Sequence, residues 1–120
     1  MSEEDSLLML RDRVRDFARE RDWEQFHTPK NLAMALIGEA AEVVEHFQWL
    51  SPAASAELPD DARRAVAHEL ADVLLYLVRL ADQLDVDLRQ AALEKLAINA
   101  RRYPADQAYG RADKYDRLGD

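Results

Sequence analysis

Apolar residues recur at spacings of three and four along most of the chain, and this period predicts four helices. Leu7, Leu10, Val14 and Phe17 place the first over roughly residues 5–20, with Arg11, Asp12, Arg15, Asp16 and Arg19 on its solvated side. The period lapses over residues 21–29, a connection that carries Trp23, Phe26 and His27 and ends at Thr28-Pro29. That pair is a helix start, because a threonine hydroxyl can cap free N–H groups and a proline loses nothing at the first helical position. The second helix then carries the stripe Leu32, Leu36, Val43, Phe47 and runs to about Phe47 or Trp49. Residues 51–60 hold Pro52, Pro59 and two serines, which predicts a loop.

A third helix over about residues 61–83 carries Val66, Leu70, Val73, Leu77 and Leu84 as its expected core stripe. Asp85-Val86-Asp87 offers a turn and an N-cap for a fourth helix over about residues 88–102, which Pro104 stops. The tail has too little apolar content to pack by itself and is expected to be loose or docked on another subunit. The expected organisation is therefore one helical domain over residues 1–104 and a charged tail over 105–120.

Composition narrows the choices. A chain of 120 residues with three glycines, four prolines and abundant Ala, Leu, Glu, Arg and Asp fits a single all-α domain, small enough for a homo-oligomer to complete its core. The net charge of −8 argues against nucleic acid polymers and anionic membranes, which reward clustered Lys and Arg. A free nucleotide brought with Mg²⁺ stays open. The absence of cysteine removes disulfide and thiolate chemistry, and the acidic start Glu3, Glu4, Asp5 is unlike a signal peptide. A cytoplasmic location is expected. The run Leu70–Leu80, interrupted by Asp72 and Arg79, is too short to span a membrane.

Four acids stand out against this background, in the pairs Glu39-x-x-Glu42 and Glu69-x-x-Asp72. Residues three apart share a helix face, so each pair presents two carboxylates together. At 100° per residue Glu39 falls about 20° from Leu32, and Glu69 about 20° outside Leu80 at the stripe margin. A carboxylate beside apolar surface is costly to desolvate unless a cation or donor compensates, and four oxygen donors suit a hard ion such as Mg²⁺. One such pair alone would read as a solvated acidic face; two at stripe margins point to a metal.

The fourth helix aligns Lys95, Asn99 and Arg102 on one face, a row that could hold phosphate oxygens or simply complement the helix dipole. Trp23, Trp49 and Tyr76 are packing aromatics that could also stack a nucleobase, while His27 and His46 rank below the acids as ligands. His68-Glu69-x-x-Asp72 supplies one histidine where a zincin needs two, and Glu24-x-x-His27 is a lone copy of a motif that a di-iron bundle uses twice.

The segments RDWEQFHTPKNLAMALIGEAAEVVEHFQWL, HELADVLLYLVRLA and KLAINARRYP resemble the MazG-like nucleotide pyrophosphohydrolases, and within them the dCTP pyrophosphatase branch. The resemblance spans about residues 7–104, with Glu-x-x-Glu and Glu-x-x-Asp separated by 26 residues. It implies an all-α, four-helix MazG-like bundle that assembles as a dimer or tetramer and hydrolyses a nucleoside triphosphate, with Mg²⁺, to the monophosphate and pyrophosphate. Glu39, Glu42, Glu69 and Asp72 match the family's metal-binding acids, with Glu39 the candidate catalytic carboxylate. Lys95, Asn99 and Arg102 match contacts to phosphate and sugar, and Trp23, Trp49 and Tyr76, supported by Phe17, match the nucleotide pocket. The resemblance allows part of this pocket to come from a second subunit. One position departs: the dCTP-specific animal relatives carry a histidine near the base where this chain has Val14, so base preference stays open. The alternative is a non-catalytic nucleotide-binding or interaction protein built on the same helical oligomer.

Overall fold

The computed structural model of the protein describes residues 5–118; Glu3 and Glu4 of the acidic start lie outside it. The described residues are helical with no strand: α1 (Ser6–Glu20), α2 (Pro29–Glu45), α3 (Pro52–Ser55), α4 (Asp60–Gln83), α5 (Leu88–Arg102) and α6 (Ala105–Ala108). Single 3₁₀ turns cover Glu24–Phe26 and Tyr115–Arg117. The chain forms two compact units, one ending at Val86 and the other starting at Asp87.

The caps expected at Thr28 and Asp87 are in place, and Asp5 adds a third. Asp5 accepts from the Leu7 N–H at 2.9 Å, Thr28 from Asn31 at 3.2 Å with Pro29 at the first position of α2, and Asp87 from Gln90 at 3.0 Å. Helix α2 ends at Glu45, short of Phe47, because the chain tightens into turns such as Phe47 N–H to the Val44 carbonyl at 2.9 Å. The 51–60 loop contains the one-turn α3, whose Ser51 cap and Pro52 start repeat the Thr28-Pro29 device.

Two helices of the first unit end on an aspartate in the left-handed region, Asp22 at φ 55° after α1 and Asp85 at φ 54° after α4. Both close the Schellman pattern: the N–H of Trp23 bonds the Ala18 carbonyl at 2.9 Å, and that of Val86 bonds Ala81 at 2.8 Å. A short polar side chain tolerates this conformation better than most, and the reversal after α1 turns Trp23 back onto its own helix. Its ring meets Phe17 edge-on, with centroids 5.6 Å apart.

In the first unit α4 packs against both α1 and α2, and Ala18, Leu32, Val66, Val78 and Ala81 are its buried apolar residues. The α2 stripe behaves as predicted, with Leu32 buried and Leu36, Val43 and Phe47 half-buried. The α4 stripe does not. Val66 points inward, but Leu70 and Leu84 are each 54% exposed, and the deepest positions are Val78, Arg79 and Ala81. The reason is geometric: within the first unit α1 and α2 pack on this 24-residue helix along other positions and leave Leu70 and Leu84 largely uncovered.

In the second unit the tail folds back rather than hanging free. Gly110, at φ 72°, makes the turn after α6, and Tyr115 returns to meet Tyr103 edge-on at 6.2 Å. Arg111 holds Asp113 at 2.7 Å and the Arg117 carbonyl at 3.2 Å. Among the described residues no helix is long and apolar enough to cross a membrane.

Candidate metal centre and adjoining cleft

Packing of α2 against α4 brings the two acidic pairs together. Glu39, Glu69 and Asp72 each offer a carboxylate oxygen, and these atoms lie within 4.8 Å of one another. Their depth follows the helical phase: Glu39 and Glu69 are half-buried while Asp72 is exposed. One oxygen of each glutamate, Glu39 Oε2 and Glu69 Oε2, is shut off from solvent with no hydrogen-bond partner. Native structures seldom leave such atoms unmatched, because the lost hydration is not repaid.

Electrostatics agree with that geometry. Burial, then the neighbouring Glu42, Asp72 and Glu69, raise the Glu39 carboxyl above the ordinary range. Contact with Glu42, followed by burial and the Asp72 charge, raises Glu69. His46, whose Nε2 lies 3.9 Å from Glu69 Oε1, pulls Glu69 the other way. Glu42 itself is exposed but neighbours both glutamates. An all-oxygen donor set with crowded negative charge and unmatched lone pairs fits a hard divalent cation.

Asp72 also lines a second feature, a cleft of about 380 Å³ between α1, the Trp23–His27 connection and α4. Its walls are mainly apolar and aromatic, including Val14, Phe17, Trp23, Leu75 and Tyr76. That size and lining suit one small, flat organic group. On α4, Asp72, Tyr76 and Arg79 fall within about 60° of one another, so one flank of one helix joins the carboxylates to the cleft.

Behind the cleft runs a polar network that periodicity could not reveal. Arg15 of α1 grips Asp82 of α4 with two hydrogen bonds, at 2.6 and 3.0 Å. Asp82 also accepts from the buried Arg79 at 3.1 Å, and Arg79 donates through Nε to His27 Nδ1 at 3.0 Å. The Arg15 hydrogen bonds hold Asp82 below the usual carboxylate range, and burial followed by the Arg79 charge lowers His27. The sequence signal was present in Arg79, a cation interrupting an apolar run, with Asp82 one turn later.

The remaining candidates are placed as follows. Trp23, Tyr76 and Phe17 line the cleft; Trp49 does not, being 88% exposed after α2. Lys95, Asn99 and Arg102 lie on α5 in the second unit, where the Arg102 guanidinium sits 4.9 Å above the Tyr115 ring.

Fold and site together define an all-α protein with a cluster of carboxylates beside an aromatic cleft. The MazG-like family pattern matches residues 36–118, and the chain belongs to that family. It is 50% identical over 106 residues to dCTP pyrophosphatase 1 of Mus musculus, an alignment covering 86% of this chain and 62% of that protein. It is 48% identical to dCTP pyrophosphatase 1 of Bos taurus, covering 98% of this chain and 70% of that one. A solved pyrophosphatase from Archaeoglobus fulgidus superposes with a TM-score of 0.80 at 36% identity, over 87% of this chain and 97% of that one. The chain thus spans less than two thirds of the mouse relative's length.

Proposed function

We propose that this protein is a Mg²⁺-dependent nucleoside triphosphate pyrophosphohydrolase that converts dCTP, or a base-modified form of it, to the monophosphate and pyrophosphate. The observation that carries the reading is the pair of shielded, unpartnered oxygens on Glu39 and Glu69, with Asp72 beside them and shared with an aromatic cleft. The dCTP pyrophosphatase relatives support the choice of substrate. Disposal of an unwanted triphosphate in the cytoplasm is the corresponding cellular role.

Glu39, Glu42, Glu69 and Asp72 hold the ion. Bound there, Mg²⁺ supplies charge neutralisation for the triphosphate and its pyrophosphate leaving group. Glu39 orients a water molecule, or takes its proton, as the water oxygen attacks the α-phosphorus and the bond from that phosphorus to the bridging oxygen breaks. Phe17, Trp23 and Tyr76 receive the base, excluding water from one end of the substrate. Lys95, Asn99 and Arg102 are the donors assigned to phosphate and sugar, and Trp49 to the base.

The test is incubation with each common ribo- and deoxynucleoside triphosphate, with Mg²⁺ and with EDTA, and separation of products by anion exchange. Monophosphate plus pyrophosphate, formed only with the metal and fastest from dCTP, is expected. Diphosphate plus phosphate would place the attack elsewhere and overturn the mechanism.

The enzyme acts as a homodimer or homotetramer in this reading. Met34 and Ile37 on α2 are 61% and 69% exposed, and Leu70 and Leu84 on α4 are each more than half exposed, more apolar surface than a small monomer ordinarily leaves in water. Sedimentation equilibrium should give twice or four times the 13.8 kDa chain mass; a monomer at micromolar concentration would reject this assembly.

A further inference from the structure

The nucleotide reading gives no role to His27 in the cleft. His27 lines it, and its orientation is fixed from behind: Nδ1 faces Arg79 Nε at 3.0 Å, and the ring meets Trp23 edge-on at 6.4 Å. A guanidinium only donates, so the nitrogen that faces it carries no proton. The neutral ring then keeps its proton on Nε2, which makes no hydrogen bond among the described residues. Arg79 is in turn held at 4% exposure by Asp82, whose other contacts go to Arg15. The network therefore ends in a donor of fixed polarity on the cleft wall.

Fixed polarity is what discrimination requires, because a site built to hydrogen-bond one pattern leaves a buried group unpaired when the wrong pattern enters. Other polar groups in the wall do less. The Tyr76 hydroxyl can donate or accept by rotation, Arg13 is exposed, and Asp72 belongs to the acids.

We infer that His27 reads the edge of the nucleobase, donating an Nε2–H hydrogen bond to a carbonyl oxygen or unprotonated ring nitrogen, and that Arg79 is the positioning residue that fixes this donor form. The inference rests on the nucleotide reading above for the identity of the occupant. It adds the residue that selects among bases. Arg15 and Asp82 act through Arg79, so a device spanning α1 and α4 sets the chemistry of a side chain in the connection before α2.

Two measurements test it. Long-range ¹H–¹⁵N correlation spectra of the labelled full chain at neutral pH should show His27 protonated at Nε2 only. Protonation at Nδ1, or at both nitrogens, overturns the inference whatever the enzyme does. Arg79→Met should lose the single tautomer while Arg79→Lys, which keeps a donor, retains it.

In kinetics, His27→Asn removes the Nε2 donor and should raise KM for the best triphosphate about 10- to 100-fold, with kcat within several-fold. His27→Gln places an amide donor near the lost one and should recover most of the affinity. Both asparagine and glutamine variants at wild-type KM would overturn the role of His27 while leaving the pyrophosphohydrolase reading intact. A wild-type protein that turns over no triphosphate would instead remove that reading, and the base as occupant with it. Should Arg79→Met fail to fold, the wild-type tautomer and the His27 pair still decide the matter.

Discussion

Replacing Glu39 by Gln is expected to lower kcat/KM by about 10²- to 10⁴-fold while leaving helical content unchanged, the range that general-base assistance ordinarily supplies. The argument is chemical rather than structural. Glutamine keeps the shape of the side chain on α2 but cannot take a proton from water or neutralise a cation, so the loss falls on the reaction and on metal binding. Stability should move the other way. In the metal-free protein Glu39 is destabilised in its charged form by burial and by Glu42, Asp72 and Glu69, so an uncharged amide relieves repulsion at neutral pH. A variant less active yet melting higher than wild type without Mg²⁺ is a signature that a packing defect would not give, because an ordinary core lesion lowers both. Thermal melts in EDTA beside a product assay check both halves. Retained activity would take Glu39 out of the mechanism.

The sequence made much of this legible because its signals are local. Thr28-Pro29 and Asp87 state where helices begin, and the spacing of Glu39, Glu42, Glu69 and Asp72 states which acids share a face. That Glu39 and Glu69 stand beside apolar surface followed from angle alone, and both are half-buried.

What periodicity could not supply was the partner of each face. The stripe Val66, Leu70, Val73, Leu77, Leu84 is apolar, but apolarity does not say whether a face is covered by the same chain or by another, and here Leu70 and Leu84 stay open. The contacts within the tail were hidden for a related reason. Two of its apolar groups are aromatic rings, and Tyr115 meets Tyr103 and the Arg102 guanidinium, contacts invisible to a count of aliphatic residues. The network from Arg15 to His27 was hidden because its members are spread over 67 residues of chain, and only packing of α1 on α4 brings them together. Arg79 within an apolar run was the single clue.

Mg²⁺ is expected to raise the melting temperature, and the rise should depend on pH in a definite sense. Glu39 and Glu69 have folded values raised above the ordinary glutamate range. For an acid this means the folded state holds protons more tightly than the unfolded one. Stability in EDTA therefore falls as pH climbs from the unfolded value, about 4.5, through the raised folded values. Asp82 has the opposite sign: Arg15 lowers its folded value, so its contribution is present above its unfolded value and lost as pH drops below it. The two windows lie on either side of about pH 4, so one profile separates them. Stability without metal should rise out of strong acid as Asp82 ionises, then decline as the glutamates are forced to ionise together.

Mg²⁺ reverses only the second limb, since a cation that binds ionised carboxylates in the folded state competes with their protons. At a hundredfold excess over its dissociation constant a ligand confined to the folded state adds about 2.7 kcal/mol, on the order of 10 °C for a chain of this size. Melts across pH 3–8, in EDTA and in millimolar Mg²⁺, give the whole comparison. A gap between the curves that widens with pH, and that shrinks in the Glu39→Gln variant, locates the ion at these carboxylates. Curves that coincide at neutral pH would mean that the crowded acids do not serve a metal, and the hydrolytic mechanism would lose its foundation.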